Sequence, residues 1–165
     1  MKLKQATHCN VERILTITDS AREFQRSLGF VQWEDDYPSR SIIENDIAES
    51  TGYVLENNGL IIAYVVLAVS DADYDTLHGV WRFDEPYGVV HRIAIAPEMR
   101  GQHVSDILFP MIEKEYLSRN IGVVRMDTGN QNIVMQRLLD KFGYDNLGLH
   151  RFSWGERLAF EKKLK

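Results

Sequence analysis

The spacing of apolar and polar positions changes period several times along this chain, and each change marks an element. Residues 2–8, KLKQATH, alternate loosely and predict a short first strand. From Asn10, an acceptable N-cap, the spacing becomes helical: Val11, Ile14, Leu15, Thr18, Ala21, Arg22 and Phe24 recur at that period, and Gly29 offers a stop. The link VQWEDDYPS is acidic and aromatic, and Pro38 with Ser39 then opens a second short helix in RSIIENDIAES. The segment TGYVLENNGLIIAYVVLAV reads as two strands around an Asn-Asn-Gly turn, which makes a hairpin. Residues 70–88 carry acids, glycines and aromatics without a sustained period, and read as loop.

VVHRIAIA, 89–96, is β-branched and apolar on both faces, as a buried central strand would be. After Pro97, a helix is predicted to begin near Gly101, with Val104, Ile107, Leu108, Met111, Ile112 and Tyr116 on one face. Pro110 inside that pattern predicts a kink or local irregularity. GVVRMDT is another strand, and NIVMQRLLDKFG is a helix with Ile133, Met135, Leu138, Leu139 and Phe142 apolar, closed by Gly143. YDNLGLH and RLAFEKKL are two closing strands joined by a loop. There is no internal repeat and no linker. The expected fold class is α/β (mixed α+β), one domain over residues 1–165. Its central mixed, mostly antiparallel sheet would have about seven strands and about four flanking helices.

Composition narrows the function. With 165 residues, 44% hydrophobic and 26% charged, the chain can bury a core and is not a disordered segment. A net charge of −5 offers no general attraction to nucleic acid. The single cysteine, Cys9, cannot form an internal disulfide, so a reducing compartment is expected. The N-terminal MKLKQATHCN lacks the apolar core of a signal peptide, and the longest apolar run, 60–69, is too short to span a bilayer as a helix. A cytoplasmic protein follows, monomer or homodimer, with no nucleic-acid or membrane partner.

The chemistry concentrates at RGQHVSDIL, 100–108. A strand, a short turn and a helix start leave four unpaired N–H groups, which with the helix dipole attract an anion. Gly101 allows close approach, Arg100 could pair with a phosphate, and Ser105 could donate a further hydrogen bond. Alone, this is also how a surface helix starts in any α/β domain.

The wider context is more specific. HRIAIAPEMRGQHVSDILFPMIE, followed by VRMDTGNQNIVMQRLLDKFGY, resembles the GNAT family of acyl-CoA-dependent N-acyltransferases. In that family a strand like IAI leads through Pro and an acid to an Arg/Gln-x-x-Gly-x-Gly/Ala loop and a helix. An asparagine then precedes a Gly-Phe pair, here Asn132 and Gly143-Tyr144. The resemblance implies that Ile93, Ala94 and Ile95 offer main-chain groups to the pantetheine arm of acetyl-CoA. Arg100, Gly101, Gln102, His103, Val104 and Ser105 would hold its pyrophosphate, and Asn132 would bond near its pantetheine or thioester end. Two loop glycines of the family are His103 and Ser105 here. In the right-handed geometry of a first helical turn, their amides would remain available.

Acyl transfer to an amine needs a base, a stabilised oxyanion and a leaving thiolate. No Gly-x-Ser-x-Gly elbow is present, so direct attack is expected over a covalent acyl-enzyme. Period two places Val89, His91, Ile93 and Ile95 on one strand face, and His91 is the candidate base. Packing beside Arg92 is its structural alternative. Glu34, Asp35 and Asp36 could instead attract a cationic amine. The family's tyrosine acid falls on Leu139, leaving water or a residue such as Tyr144 to supply a proton, or a step that needs no acid. Trp33, Tyr37, Trp81 and Tyr87 are candidate acceptor-binding aromatics, or close the core beneath loops. His8, His78, His103, His150 and Cys9 show no metal-ligand spacing, so no metal is expected. The expectation is an acetyl-CoA-dependent N-acetyltransferase acting on a small-molecule or peptide primary amine. The rival is a non-catalytic acyl-CoA-binding or sensing domain. A nucleotide-binding regulator would use the same helix start but leaves Asn132 and the IAI strand unexplained.

Overall fold

At the tip of the hairpin, Asn58 and Gly59 take φ of 49° and 84°. Two successive left-handed residues are what a type I′ turn requires, so Asn-Gly sits where the strands must reverse. The computed structural model describes residues 1–165. In chain order the elements are β1 (Lys2–Gln5), α1 (Val11–Ser27), α2 (Arg40–Ala48), β2 (Gly52–Asn57), β3 (Leu60–Val69) and α3 (Ala72–Asp75). There follow β4 (Tyr87–Ile95), α4 (Val104–Ser118), β5 (Val123–Thr128), α5 (Ile133–Lys141), β6 (Asp145–Phe152) and β7 (Gly155–Lys163).

Most predicted elements are present, with instructive shifts at their ends. β1 stops at Gln5, and His8–Asn10 forms a 3-10 turn. Asn10 stands at the start of α1, but its side chain turns back, and Oδ1 accepts from the Thr7 amide at 2.9 Å. Ser39 caps α2 by accepting from the Ile42 amide at 3.3 Å. Residues 70–88 are not all loop: α3 is a single turn, capped by Asp71, whose Oδ1 accepts from the Asp73 amide at 2.8 Å. Four residues are too few to show a period. α4 runs through Pro110 without interruption.

The strands are hydrogen-bonded in the order β1-β2-β3-β4-β5-β7-β6. β1–β2, β2–β3, β5–β7 and β6–β7 are antiparallel, while β4 and β5 are parallel. The β4–β5 register covers Tyr87, Gly88 and Val89 of β4. The expected mixed α/β sheet of seven strands is therefore present, with five helices counting the single turn α3.

The chain forms two compact units, Met1–Leu67 with His91–Met111, and Ala68–Val90 with Ile112–Lys165. In the first, Val11, Ile14 and Ile17 of α1 and Ile43 of α2 pack with Val54, Tyr64, Val66 and Ala94 of the strands. These α1 positions recur at the helical period, which is why one face of that helix is buried. In the second, Tyr74, Tyr87, Val89, Val123, Phe152 and Ala159 form the core.

Candidate functional site

β4 departs from regular geometry near its end. Arg92 takes φ 54° within the strand, a left-handed conformation that a non-glycine residue adopts where a strand bulges. The alternation predicted for Val89, His91, Ile93 and Ile95 assumes regular strand geometry, from which Arg92 departs. His91, Arg92 and Ile93 are all half-buried in succession.

A buried polar cluster in the same unit explains what holds Arg92 there. Its Nε donates to Asp46 Oδ2 at 3.0 Å and its Nη2 to Asp46 Oδ1 at 2.5 Å. Nη1 donates to the Tyr37 hydroxyl at 2.7 Å, and the Tyr64 hydroxyl donates to Asp46 Oδ2 at 2.6 Å. Burial works against the guanidinium charge, but the contacts with Tyr37 and Asp46 outweigh it and strengthen proton binding. Burial first, then the Asp46 carboxylate, push the Tyr64 hydroxyl well above the usual range, so it stays a neutral donor. The sequence reading missed this cluster. Its one signal is Asp46, three residues after Ile43 on the buried face of α2.

Beyond β4, Pro97–Met99 forms a 3-10 turn and α4 starts at Val104, three residues later than expected. The cause is a pair of left-handed residues, Gly101 at φ 75° and His103 at φ 57°. This corrects the expectation that His103 sits in right-handed helical geometry: it occupies a position that favours glycine. The amides of Gln102 and Asp106 bond to Met99 and His103 carbonyls, whereas those of Gly101, His103, Val104 and Ser105 are given no acceptor by the chain. A Cβ at Gly101 would meet nothing within 4 Å, so glycine is there for its backbone angle.

The side chains of this turn differ from expectation. Arg100 is engaged by α1: its Nη2 donates to Ser20 Oγ at 2.8 Å and its guanidinium lies 4.8 Å over the Phe24 ring. Burial of that group weakens its hold on a proton, partly offset by Glu23 and Glu98. Gln102 donates to the Glu98 carbonyl at 2.7 Å. His103 projects into solvent, with Nδ1 3.5 Å from Asp106 Oδ2. Replacing His103 with glycine is expected to be neutral to mildly stabilising, by up to about 1 kcal/mol. Relief of left-handed strain of about 1–2 kcal/mol is offset by the greater freedom of glycine when unfolded. Thermal unfolding checks this; a clear loss of stability would mean the imidazole contributes more than its backbone costs.

Asn132 and Tyr144 belong to the second unit. Asn132 caps α5, its Oδ1 accepting from the Met135 amide at 3.2 Å. Tyr144 is 4% exposed, and burial, then Glu113, raise its hydroxyl well above the usual range. Leu139 is fully buried. Of the four candidate acceptor aromatics, two are buried and two are half-buried against the cores. Trp33 and Tyr87 are buried, Tyr37 packs on Trp33, and Trp81 stacks on Tyr74 at 5.3 Å. Tyr87 donates to Asp75 Oδ1 and Trp81 Nε1 to the Tyr74 carbonyl, so each ring closes a core beneath its loop. Trp154, at 42% exposure, is the more open tryptophan, and its Nε1 donates to Asp127 Oδ2 at 3.3 Å. No three His, Cys, Asp or Glu side chains are placed to share a metal ion.

A family model described as the acetyltransferase (GNAT) family matches residues 15–144, a span that includes the bulge, the left-handed turn and Asn132. The chain belongs to the GNAT acetyltransferase family. A GNAT acetyltransferase from Streptococcus agalactiae 2603 shares 29% identity over 99% of this chain and 95% of that one, with a TM-score of 0.87. At 18% identity, a GNAT acetyltransferase from Listeria monocytogenes 4b F2365 has the same fold, with a TM-score of 0.78 over 99% and 94% of the two chains. So does a ribosomal-protein-alanine N-acetyltransferase from Brucella melitensis, at 15% identity and a TM-score of 0.69 over 99% and 100%. A comparison with curated protein sequences returned no match. No helix is long and apolar enough to cross a membrane.

Proposed function

We propose that this GNAT protein is an N-acetyltransferase that moves the acetyl group of acetyl-CoA to a primary amine of a small molecule or peptide by direct attack. The observation that carries the reading is the turn before α4, where the amides of Gly101, His103, Val104 and Ser105 have no acceptor in the chain. Such groups at a helix start suit a pyrophosphate, and alternation of left- and right-handed residues is a backbone conformation in which successive N–H groups can share one anion. Four donors without acceptors therefore fit the diphosphate of CoA, while Arg100, held on α1, would add charge only from a distance.

Ile93, Ala94 and Ile95 lie beyond the β4–β5 ladder, and their main-chain groups would pair with an extended pantetheine arm as an added strand. Bound there, acetyl-CoA supplies an acyl group activated as a thioester. His91, next to the bulge, would accept the proton of the incoming ammonium, directly or through water. Asn132, at the cap of α5, would bond the ligand near its pantetheine or thioester end. With Leu139 in the core and Tyr144 held neutral there, the reading leaves the final protonation to water. The lone exposed Cys9 is consistent with a reducing cytoplasm.

Acetyl-CoA-dependent thiol release across a panel of polyamines, amino-sugar amines, amino acids and peptide N-termini tests this reading. Release with at least one amine class is the expected result. CoA binding without release from any class would favour the sensing domain.

A further inference from the structure

We infer that the buried Asp46–Arg92 pair is a positioning device for the acyl end of the site, pinning the bulge of β4 between His91 and Ile93. The inference rests on the acetyl-CoA reading above. A left-handed residue inside a strand persists only where its surroundings hold it. Glycine would reach φ 54° freely, but would leave it as freely. Arginine does neither, because three of its N–H groups are fixed: two on Asp46 of α2 and one on the Tyr37 hydroxyl. Two segments outside the sheet therefore grip the backbone at the bulge.

The neighbours protect this grip. Asp46 is 3% exposed and receives the Tyr64 hydroxyl as well as the guanidinium, so its orientation is fixed from two directions. Gly52 leaves room for that arrangement, since a Cβ there would lie 3.2 Å from the Tyr64 hydroxyl oxygen and 3.4 Å from Asp46 Cβ. A pair with only a packing role could stand on any strand residue. This one is attached to the residue between the candidate base and the first main-chain group offered to the donor. It contacts no substrate in this account and acts through the backbone.

The test compares wild type with Arg92→Lys, and with the double variant Asp46→Asn plus Arg92→Gly. Lysine keeps the charge but loses the two-pronged contact. The double variant leaves no unpaired buried charge and lets the bulge relax, so it folds where Asp46→Asn alone could fail. The readouts are calorimetric binding of CoA, kcat with the best amine of the panel, and hydrogen exchange of residues 91–95. The expected result is a kcat lower by about tenfold to a hundredfold, with CoA affinity within about threefold and faster exchange at 91–95. A kcat within about twofold of wild type in the folded variants, or equal losses of kcat and CoA affinity, would overturn the positioning role. Failure of wild type itself to bind CoA would instead remove the acetyl-CoA reading, and this role with it.

Discussion

Replacing His91 with alanine is expected to lower kcat at neutral pH by about a hundredfold while changing the CoA dissociation constant by less than about threefold. The expectation follows from where the residue sits. His91 is half-buried on β4, immediately before the left-handed Arg92, and is ten or more residues before Gly101, His103, Val104 and Ser105, whose amides would carry the pyrophosphate. A positioned base typically contributes about two to four orders of magnitude, and water relaying the proton would keep the loss near the lower end. His91→Gln, which keeps a polar side chain but cannot act as a base, should lose activity similarly. Unchanged turnover in both variants would remove His91 as the base.

Replacing Gly88 with alanine is expected to lower the unfolding free energy by about 3 kcal/mol and the melting temperature by about 5–12 °C. A Cβ on this residue would lie 2.1 Å from a ring carbon of Tyr116 and 2.4 Å from another. The ring cannot easily give way. It is fully buried, and its hydroxyl donates to the Ala68 carbonyl at 3.0 Å and the Val89 carbonyl at 2.8 Å. Moving the ring would strain or break those bonds inside a closely packed core. Adding Tyr116→Leu to Gly88→Ala should recover part of the loss by removing the clash, and a thermal-melt cycle of the four proteins measures the coupling. A melting temperature for Gly88→Ala within about 2 °C of wild type would mean that the strand shifts more readily than this packing allows.

How much of this was legible in the sequence depends on the range of the interaction involved. The hairpin announced itself because Asn58-Gly59 sits between two apolar runs, and α5 because its apolar face, N-cap and closing glycine are all local. The displaced start of α4 was not legible. Gly101 hints at a left-handed turn, but His103 does not, since its type carries no strong signal for φ 57°. The charge of Arg100 is visible in sequence, whereas its contacts with Ser20 and Phe24 come from 80 and 76 residues earlier. The Asp46–Arg92 pair spans 46 residues, and no period reveals it. Aromatic content in an acidic segment likewise says nothing about which way a ring turns. Trp33 and Tyr87 fill cores, and the more exposed Trp154 lies in the turn between β6 and β7, where no sequence pattern singles it out.

The most direct test of the central claim is a calorimetric titration with acetyl-CoA, CoA and ATP, made on wild type and on Gly101→Val. Valine cannot readily adopt φ 75°, so this change should re-aim the free amides without any clash of the added side chain. Saturable, one-to-one binding of acetyl-CoA and CoA to wild type, much weaker ATP binding, and at least about a tenfold loss of CoA affinity in Gly101→Val are expected. No binding of either CoA species to wild type, or CoA affinity unchanged by Gly101→Val, would contradict the claim.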